Sequence, residues 1–230
     1  MFQFKQFTIH QDKTAMKVGT DGVLLGAWAY IVGESVLDIG TGTGVIALML
    51  AQRSIDSQIT AIEIEENAFR QATDNVSNSK WSNRIELKNS SLQDYTPPIK
   101  FDTIVSNPPF FNNSQKTPDS KRNFARHTDS LSFAELLKFT SENLSAIGKA
   151  SFIIPFDSET NFLGISKRFN LFASRICRVK GTETSPVKRS LIELSLNEKD
   201  CKKSELIIEI SRHIYTENYI NLTKDFYLKM

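Results

Sequence analysis

The sequence predicts an α/β protein: a mainly parallel seven-stranded sheet with helices on both faces and an antiparallel hairpin toward the C-terminal end. Three observations lead there. Strand-like and helix-like apolar patterns alternate from Glu34 to Phe156, which is the signature of repeated crossovers into one sheet. A buried run, "VLDIG", opens onto the glycine-rich turn "TGTG" and then a helix. Past Pro155, two strand-like runs follow each other with only a loop between them.

Taken in order, "FQFKQFTIHQ" reads as an exposed strand-like segment, and "DGVLLGAWAYI" as a short buried helix with Asp21 placed to cap it. "ESVLDIG" is a compact buried strand, and "TGVIALMLAQR" a helix apolar nearly all round. "QITAIEI", "RIELKNS" and "FDTIVSN" are the next three strands, the first two separated by the amphipathic helix "ENAFRQATDNVSN". "SFAELLKFTSENL" is a helix whose Ser132 and Glu135 have capping-box spacing, and "GKASFIIPF" is the fifth strand. A helical stretch to Asn170 precedes the hairpin of "FASRICRVKG" and "RSLIELSL", joined around Pro186. "SELIIEIS" is a candidate edge strand, and "TENYINLTKDFYL" a terminal helix starting at Thr216. The expected organisation is one domain, residues 1–230, with an N-terminal segment (1–34), a core (35–156) and a C-terminal part (157–230).

Composition narrows the function classes. No run approaches the roughly 20 apolar residues of a membrane span, and the start "MFQFKQFTIHQDK" lacks the order of a signal peptide, so a cytoplasmic protein without membrane contact is expected. Cys177 and Cys201 show no metal-ligand spacing, and no metal is expected. The net charge of +2 is small, but cations cluster. Between Asn161 and Ile192 stand Lys167, Arg168, Arg175, Arg178, Lys180, Lys188 and Arg189 against Glu183, and a second cluster holds Lys116, Lys121, Arg122, Arg126 and His127. A solvated face and a phosphate-contacting surface both fit such runs.

The loops at the strand ends carry the chemistry. Asp38, Gly40, Thr41, Gly42 and Gly44 form a strand-to-helix turn whose backbone can approach a ligand closely, and the N–H groups that follow favour an electron-rich group. Glu63 ends the next strand, about 20 residues on, where a carboxylate can accept both hydroxyls of a ribose. Together these imply an adenosine ligand, either a nicotinamide dinucleotide or S-adenosylmethionine. The spacing is G-x-G-x-G, an imperfect pyrophosphate fingerprint. The fourth strand then ends in "NPPF", residues Asn107, Pro108, Pro109 and Phe110, a stiff lip that a dehydrogenase does not need.

The glycine turn, Glu63 and "NPPF" together resemble the class I, Rossmann-like methyltransferases that use S-adenosylmethionine to modify amide or amino nitrogens. The resemblance implies that the Asn107 side-chain oxygen and the Pro108 carbonyl accept the two amine hydrogens, while Phe110 stacks on the acceptor plane. Such motifs also occur in release-factor glutamine, ribosomal guanine-N2 and DNA adenine methyltransferases. The first of these carries a helical domain ahead of the glycine turn, where this sequence has residues 1–34.

The stretches "FKQFTIHQDKTAMKVGTDGVLLGAWA", "ARHTDSLSFAELL" and "YTENYINLTKDFYL" are similar to the bacterial tRNA(Val) adenine-37-N6-methyltransferases. That resemblance implies a tRNA substrate and makes Lys17, Thr20 and Asp21 cofactor contacts, with Asp21 equally suited to helix capping. Related enzymes commonly place an acid after the third strand to meet the adenine amine. Here Ser91 stands there and Asp94 comes three residues later, so Ser91 and Leu92 are the candidate contacts. Lys121, Arg122 and Arg126, just past the lip, are the expected RNA contacts, and a monomer is expected. Methylation of another planar nitrogen, or an adenosine-binding module without catalysis, are the competing readings.

Overall fold

The computed structural model describes residues 1–14, 16–109 and 131–230. The chain opens with β1 (Phe2–Gln3) and β2 (Thr8–Ile9), then α1 (Thr20–Trp28), β3 (Ser35–Ile39), α2 (Val45–Arg53), β4 (Gln58–Glu63), α3 (Glu66–Ser77), β5 (Ile85–Asn89) and β6 (Phe101–Ser106). It continues with α4 (Phe133–Asn143), β7 (Leu144–Pro155), α5 (Glu159–Arg168), β8 (Phe172–Lys180), β9 (Val187–Ser195), β10 (Lys202–Ile207), β11 (Glu209–Ser211), β12 (Ile214–Tyr215) and α6 (Glu217–Thr223).

The sheet has eight strands in the order β10-β8-β9-β7-β6-β3-β4-β5, one more than expected. Strand β9 runs antiparallel to both its neighbours, as the hairpin pattern required, and every other pairing in the sheet is parallel. The eighth strand is β10, which pairs parallel with β8 and is the edge candidate read from "SELIIEIS". A smaller antiparallel pair, β11 with β12, follows it.

Period-two alternation sorts the strand residues between two cores. Val36, Val105, Ile153 and Leu191 join α1 and α2 on one side, while Leu37, Ile104, Phe152 and Ile192 join α4 and α5 on the other. The all-round apolar pattern of α2 is explained by its complete burial from Val45 to Ala51. The α4 capping box forms as expected, and Thr216 caps α6 through its side chain.

Two local expectations are corrected. The N-terminal segment is not an exposed strand: Phe4, Phe7 and Ile9 are buried, and Phe4 stacks on Phe7 and on Tyr227 from the far end of the chain. Asp21 does not cap α1. Its N-cap is Gly19, without a side-chain bond, and Asp21 sits in the first turn facing Arg189.

Helix α1 also has no basic residue in its last turn, so its C-terminal carbonyls are met by cations from elsewhere. Arg53 Nη1 donates to Gly26 O and Ala29 O at 2.8 Å each. Arg175 donates to Trp28 O, lies over the Trp28 and Tyr30 rings, and pairs with buried Glu193 at 2.9 Å. Arg175→Ala removes the main partner of a buried carboxylate and is expected to cost about 3 kcal/mol in chemical unfolding.

Candidate active site

Strand register builds the site. Ile39 of β3 pairs with Ser106 of β6, and the Ser106 hydroxyl donates to Ile39 O at 2.9 Å. The next residues, Gly40 and Asn107, therefore leave the sheet side by side at its carboxyl edge. Chain order reverses there, since β3 is flanked by β4 on one side and β6 on the other, and ligands of open α/β sheets settle at such a point.

The glycine turn is held from the neighbouring strand. Gly40 and Thr41 donate their N–H groups to Ile62 O, and Gly42 N–H donates to Glu63 Oε2 at 2.8 Å. The second Glu63 oxygen accepts Glu65 N–H at 2.9 Å. Gly40 and Gly42 have φ of 71° and 58°, and a Cβ built on either would meet nothing within 4 Å, so both border open space. Gly44, with φ of 81°, is needed for its left-handed backbone, since a Cβ there would meet Ala72 and Val76 of α3 only at ordinary contact distance.

Two cavities meet over this turn. The first, about 260 Å³, is mostly apolar, with Ile62, Ile64 and Leu92 among its walls and Glu63 as its acid over the turn. The second, about 360 Å³, lies between the turn and the segment from Met16 to Gly22. Met16, Gly40, Gly42 and Asn107 line both. The Asn107 side-chain oxygen is buried and has no hydrogen-bond partner among the described residues. It is a sheltered acceptor without a donor, at the junction of the two spaces.

Of the residues singled out from the sequence, Glu63, Ser91, Leu92 and Pro109 line the first cavity, and Lys17, Thr20, Asp21 and Thr41 line the second. Gly44, Pro108 and Asp38 line neither. Pro108, within the lip, is buried. Phe110, Lys121, Arg122 and Arg126, with Lys116 and His127, lie outside the described residues. Ser91 is already engaged: its hydroxyl donates to Asp94 Oδ2 at 2.6 Å and accepts Asp94 N–H at 3.1 Å. The acid three residues late thus reaches back onto the serine that stands in its place.

Asp38 is fully buried under the turn, where its Oδ2 accepts the Thr41 hydroxyl at 2.6 Å and its Oδ1 has no partner among the described residues. Burial pushes its carboxyl up to about 7, against the opposing effect of the Thr41 hydroxyl. A carboxyl raised in the fold favours the protonated folded state, so this contribution is lost as pH rises from about 4 to about 7. Asp38→Asn removes that dependence. Its melting temperature relative to the parent is expected to climb between pH 5 and pH 7.5, by an amount corresponding to roughly 2–3 kcal/mol over that window.

Arg189, Met16 and Ile64 were not singled out as site residues. Arg189 belonged to the cationic run near β8 and β9, most of which is spent internally: Arg175 pairs with Glu193, Arg178 with Glu159, Lys180 with Glu205 and Arg189 with Asp21. At these positions the cations of the run are paired with carboxylates of the chain itself.

The comparisons agree with this geometry. The family model for the methyltransferase small domain matches residues 16–131. The chain is 51% identical over 234 residues to the tRNA1(Val) (adenine(37)-N6)-methyltransferase of Flavobacterium psychrophilum, covering 100% of both chains. It is 49% identical over 233 residues to the enzyme of the same name from Bacteroides fragilis, covering 100% of this chain and 98% of that one. Among solved structures, a predicted O-methyltransferase from Agrobacterium tumefaciens matches with a TM-score of 0.68 at 17% identity, over 90% of this chain and 96% of that one. A glycopeptide N-methyltransferase complexed with S-adenosyl-L-methionine matches with a TM-score of 0.58 at 11% identity, over 77% of this chain and 95% of that one. The last two describe the fold alone.

Proposed function

The chain belongs to the tRNA1(Val) (adenine(37)-N6)-methyltransferase family, and on that premise we propose that it methylates the N6 amine of adenine 37 in tRNA(Val) with S-adenosylmethionine as donor. The observation that carries the reading at the level of chemistry is the unpartnered Asn107 oxygen beside the glycine turn.

The residues present fit such a donor. Glu63 holds the ribose hydroxyls, with its carboxylate fixed by the N–H groups of Gly42 and Glu65. Ile64, Leu92 and Ser91 border the adenine end, and the open space over Gly40 and Gly42 admits the methionyl part. When bound, the sulfonium supplies an electrophilic methyl group and a good leaving group.

The chain's own task is to present the acceptor. An exocyclic amine is a weak nucleophile because its lone pair is delocalised into the ring. Asn107 Oδ1 and the Pro108 carbonyl accept its two hydrogens, orient the lone pair toward the methyl group, and favour the positive charge that grows on nitrogen. Phe110 stacks on the base. The amine then sheds one proton to solvent, so neither a general base nor a metal is needed.

Lys121, Arg122 and Arg126 hold the RNA backbone while the base is splayed from the anticodon loop. Arg122→Ala with Arg126→Ala is expected to weaken tRNA binding about tenfold and flatten its salt dependence, with S-adenosylhomocysteine affinity unchanged. On the same reading the protein works where its tRNA substrate is, in the cytoplasm, as a monomer. No described helix is long and apolar enough to cross a membrane.

The reading is tested by incubating purified protein with S-adenosylmethionine and unmodified tRNA(Val), followed by nucleoside mass spectrometry. N6-methyladenosine at position 37 is expected. Methylation of guanine, or none, would overturn it.

A further inference from the structure

A polar stripe on α3 has no part in the chemistry described so far. Gln71 and Asn75, one helical turn apart on the same face, are each 2% exposed, and Asp74 stands beside them at the surface. Buried amides are tolerated only where their polar atoms find partners. Here the partners are backbone groups of the N-terminal segment. Asn75 Oδ1 accepts His10 N–H at 2.8 Å, and Asn75 Nδ2 donates to His10 O at 2.9 Å. Gln71 Oε1 accepts Lys13 N–H at 3.1 Å, and the Lys13 ammonium pairs with Asp74 at 2.9 Å.

The segment held in this way is a wall of the cleft. The described residues between Ile9 and Thr20 form no helix or strand, so their backbone groups need partners from side chains. Within the segment, Val18 N–H donates to Gln11 Oε1 at 2.8 Å and the Thr14 hydroxyl donates to Met16 O at 2.9 Å. Thr14 lines the first cavity, Lys17, Val18 and Gly19 the second, and Met16 both. Asn75 Nδ2 also donates to Thr43 O at 2.9 Å, in the glycine turn across the second cavity from that wall. A bond to the turn is not required to hold the segment on the helix. It fixes the distance between two walls of the cleft.

We propose that Asn75 and Gln71 are positioning residues for the methyl donor: through the backbone of His10, Lys13 and Thr43 they set the gap between the N-terminal wall and the glycine turn, and with it the time the donor stays bound. Neither side chain lines a cavity itself. Met16, 62% exposed and at the junction of the two spaces, is the side chain through which the wall meets the ligand. The inference rests on the donor named under Proposed function and deepens it, assigning residence time to residues that touch no ligand.

The test follows association and release of S-adenosylhomocysteine on the full chain by surface plasmon resonance. Asn75→Ala is expected to speed release by about tenfold or more, while association changes by less than about threefold. Gln71→Ala should move release in the same direction by a smaller factor. Gln71→Glu, which keeps the acceptor oxygen for Lys13 N–H, should return most of the parent's rate. At saturating S-adenosylmethionine the single-turnover rate of Asn75→Ala should stay within about threefold of the parent, and the donor concentration giving half that rate should rise with the release rate. An amide that only stabilises the fold would lower the melting temperature and the binding-competent fraction, and leave the release rate of that fraction unchanged. That result would overturn the proposal, as would a Gln71→Glu variant that releases the ligand as fast as Gln71→Ala. If Asn75→Ala does not fold, Met16→Ala decides with the Gln71 pair. Met16 is already exposed, so its ligand-free melting temperature should hold while release quickens, and unchanged release would contradict the proposal. A parent protein that does not bind S-adenosylhomocysteine at all would instead overturn the donor assignment, so the two failures are distinguishable.

Discussion

Replacing Asn107 by alanine is expected to lower the single-turnover rate of methyl transfer by about 10²–10³-fold. The loss should fall on the chemical step. The Asn107 oxygen has no protein partner to lose among the described residues, so its removal breaks no internal hydrogen bond there and leaves the glycine turn, which is held by Ile62 and Glu63, intact. S-adenosylhomocysteine affinity should therefore stay within about fivefold, the pattern of an interaction made chiefly in the transition state. Asn107→Asp keeps an acceptor oxygen at the same reach and is expected to retain more activity than alanine. Equal loss in both variants would assign Asn107 a packing role instead.

The second large effect is expected at Glu63, and there it should appear as affinity. Each carboxylate oxygen already fixes one backbone N–H, from Gly42 and from Glu65. Glu63→Ala strips away the ribose acceptor and orphans both donors, each worth about 1–3 kcal/mol when left unsatisfied in a sheltered place. Binding of S-adenosylhomocysteine should weaken by about 10²-fold. The parent should also prefer ribose over 2′,3′-dideoxyribose in otherwise identical ligands, and the variant should lose that preference. A variant that binds weakly and still discriminates would place the ribose elsewhere.

How much of this was legible in the sequence depends on how far each feature reaches along the chain. The parallel strands, the hairpin and the capping box of α4 rest on local patterns, and they were read correctly. The turn from Gly40 to Gly44, Glu63 and Asn107 were visible as separate signals at strand ends. What joined them was the pairing of Ile39 with Ser106, a consequence of strand order that no local pattern contains.

The misreadings share the opposite property. The N-terminal segment alternates as an exposed strand would, but its burial is supplied by Tyr227 at the other end of the chain. Asp21 looked like a helix cap because its partner, Arg189, lies 168 residues away. The carboxylate partners of the cationic run were not visible locally, because Glu159, Glu193 and Glu205 are spread on both sides of it and meet it only in the folded sheet.

All of these arguments depend on the acceptor amine and the methyl donor meeting at the Gly40–Asn107 junction. The most direct measurement is a crystal structure of the protein with S-adenosylhomocysteine and an unmodified tRNA(Val) anticodon stem-loop. The account predicts adenine 37 out of the loop, with its N6 within about 3.2 Å of Asn107 Oδ1 and pointing at the donor sulfur. A stem-loop bound with adenine 37 elsewhere, or with Asn107 turned away from the base, would contradict it.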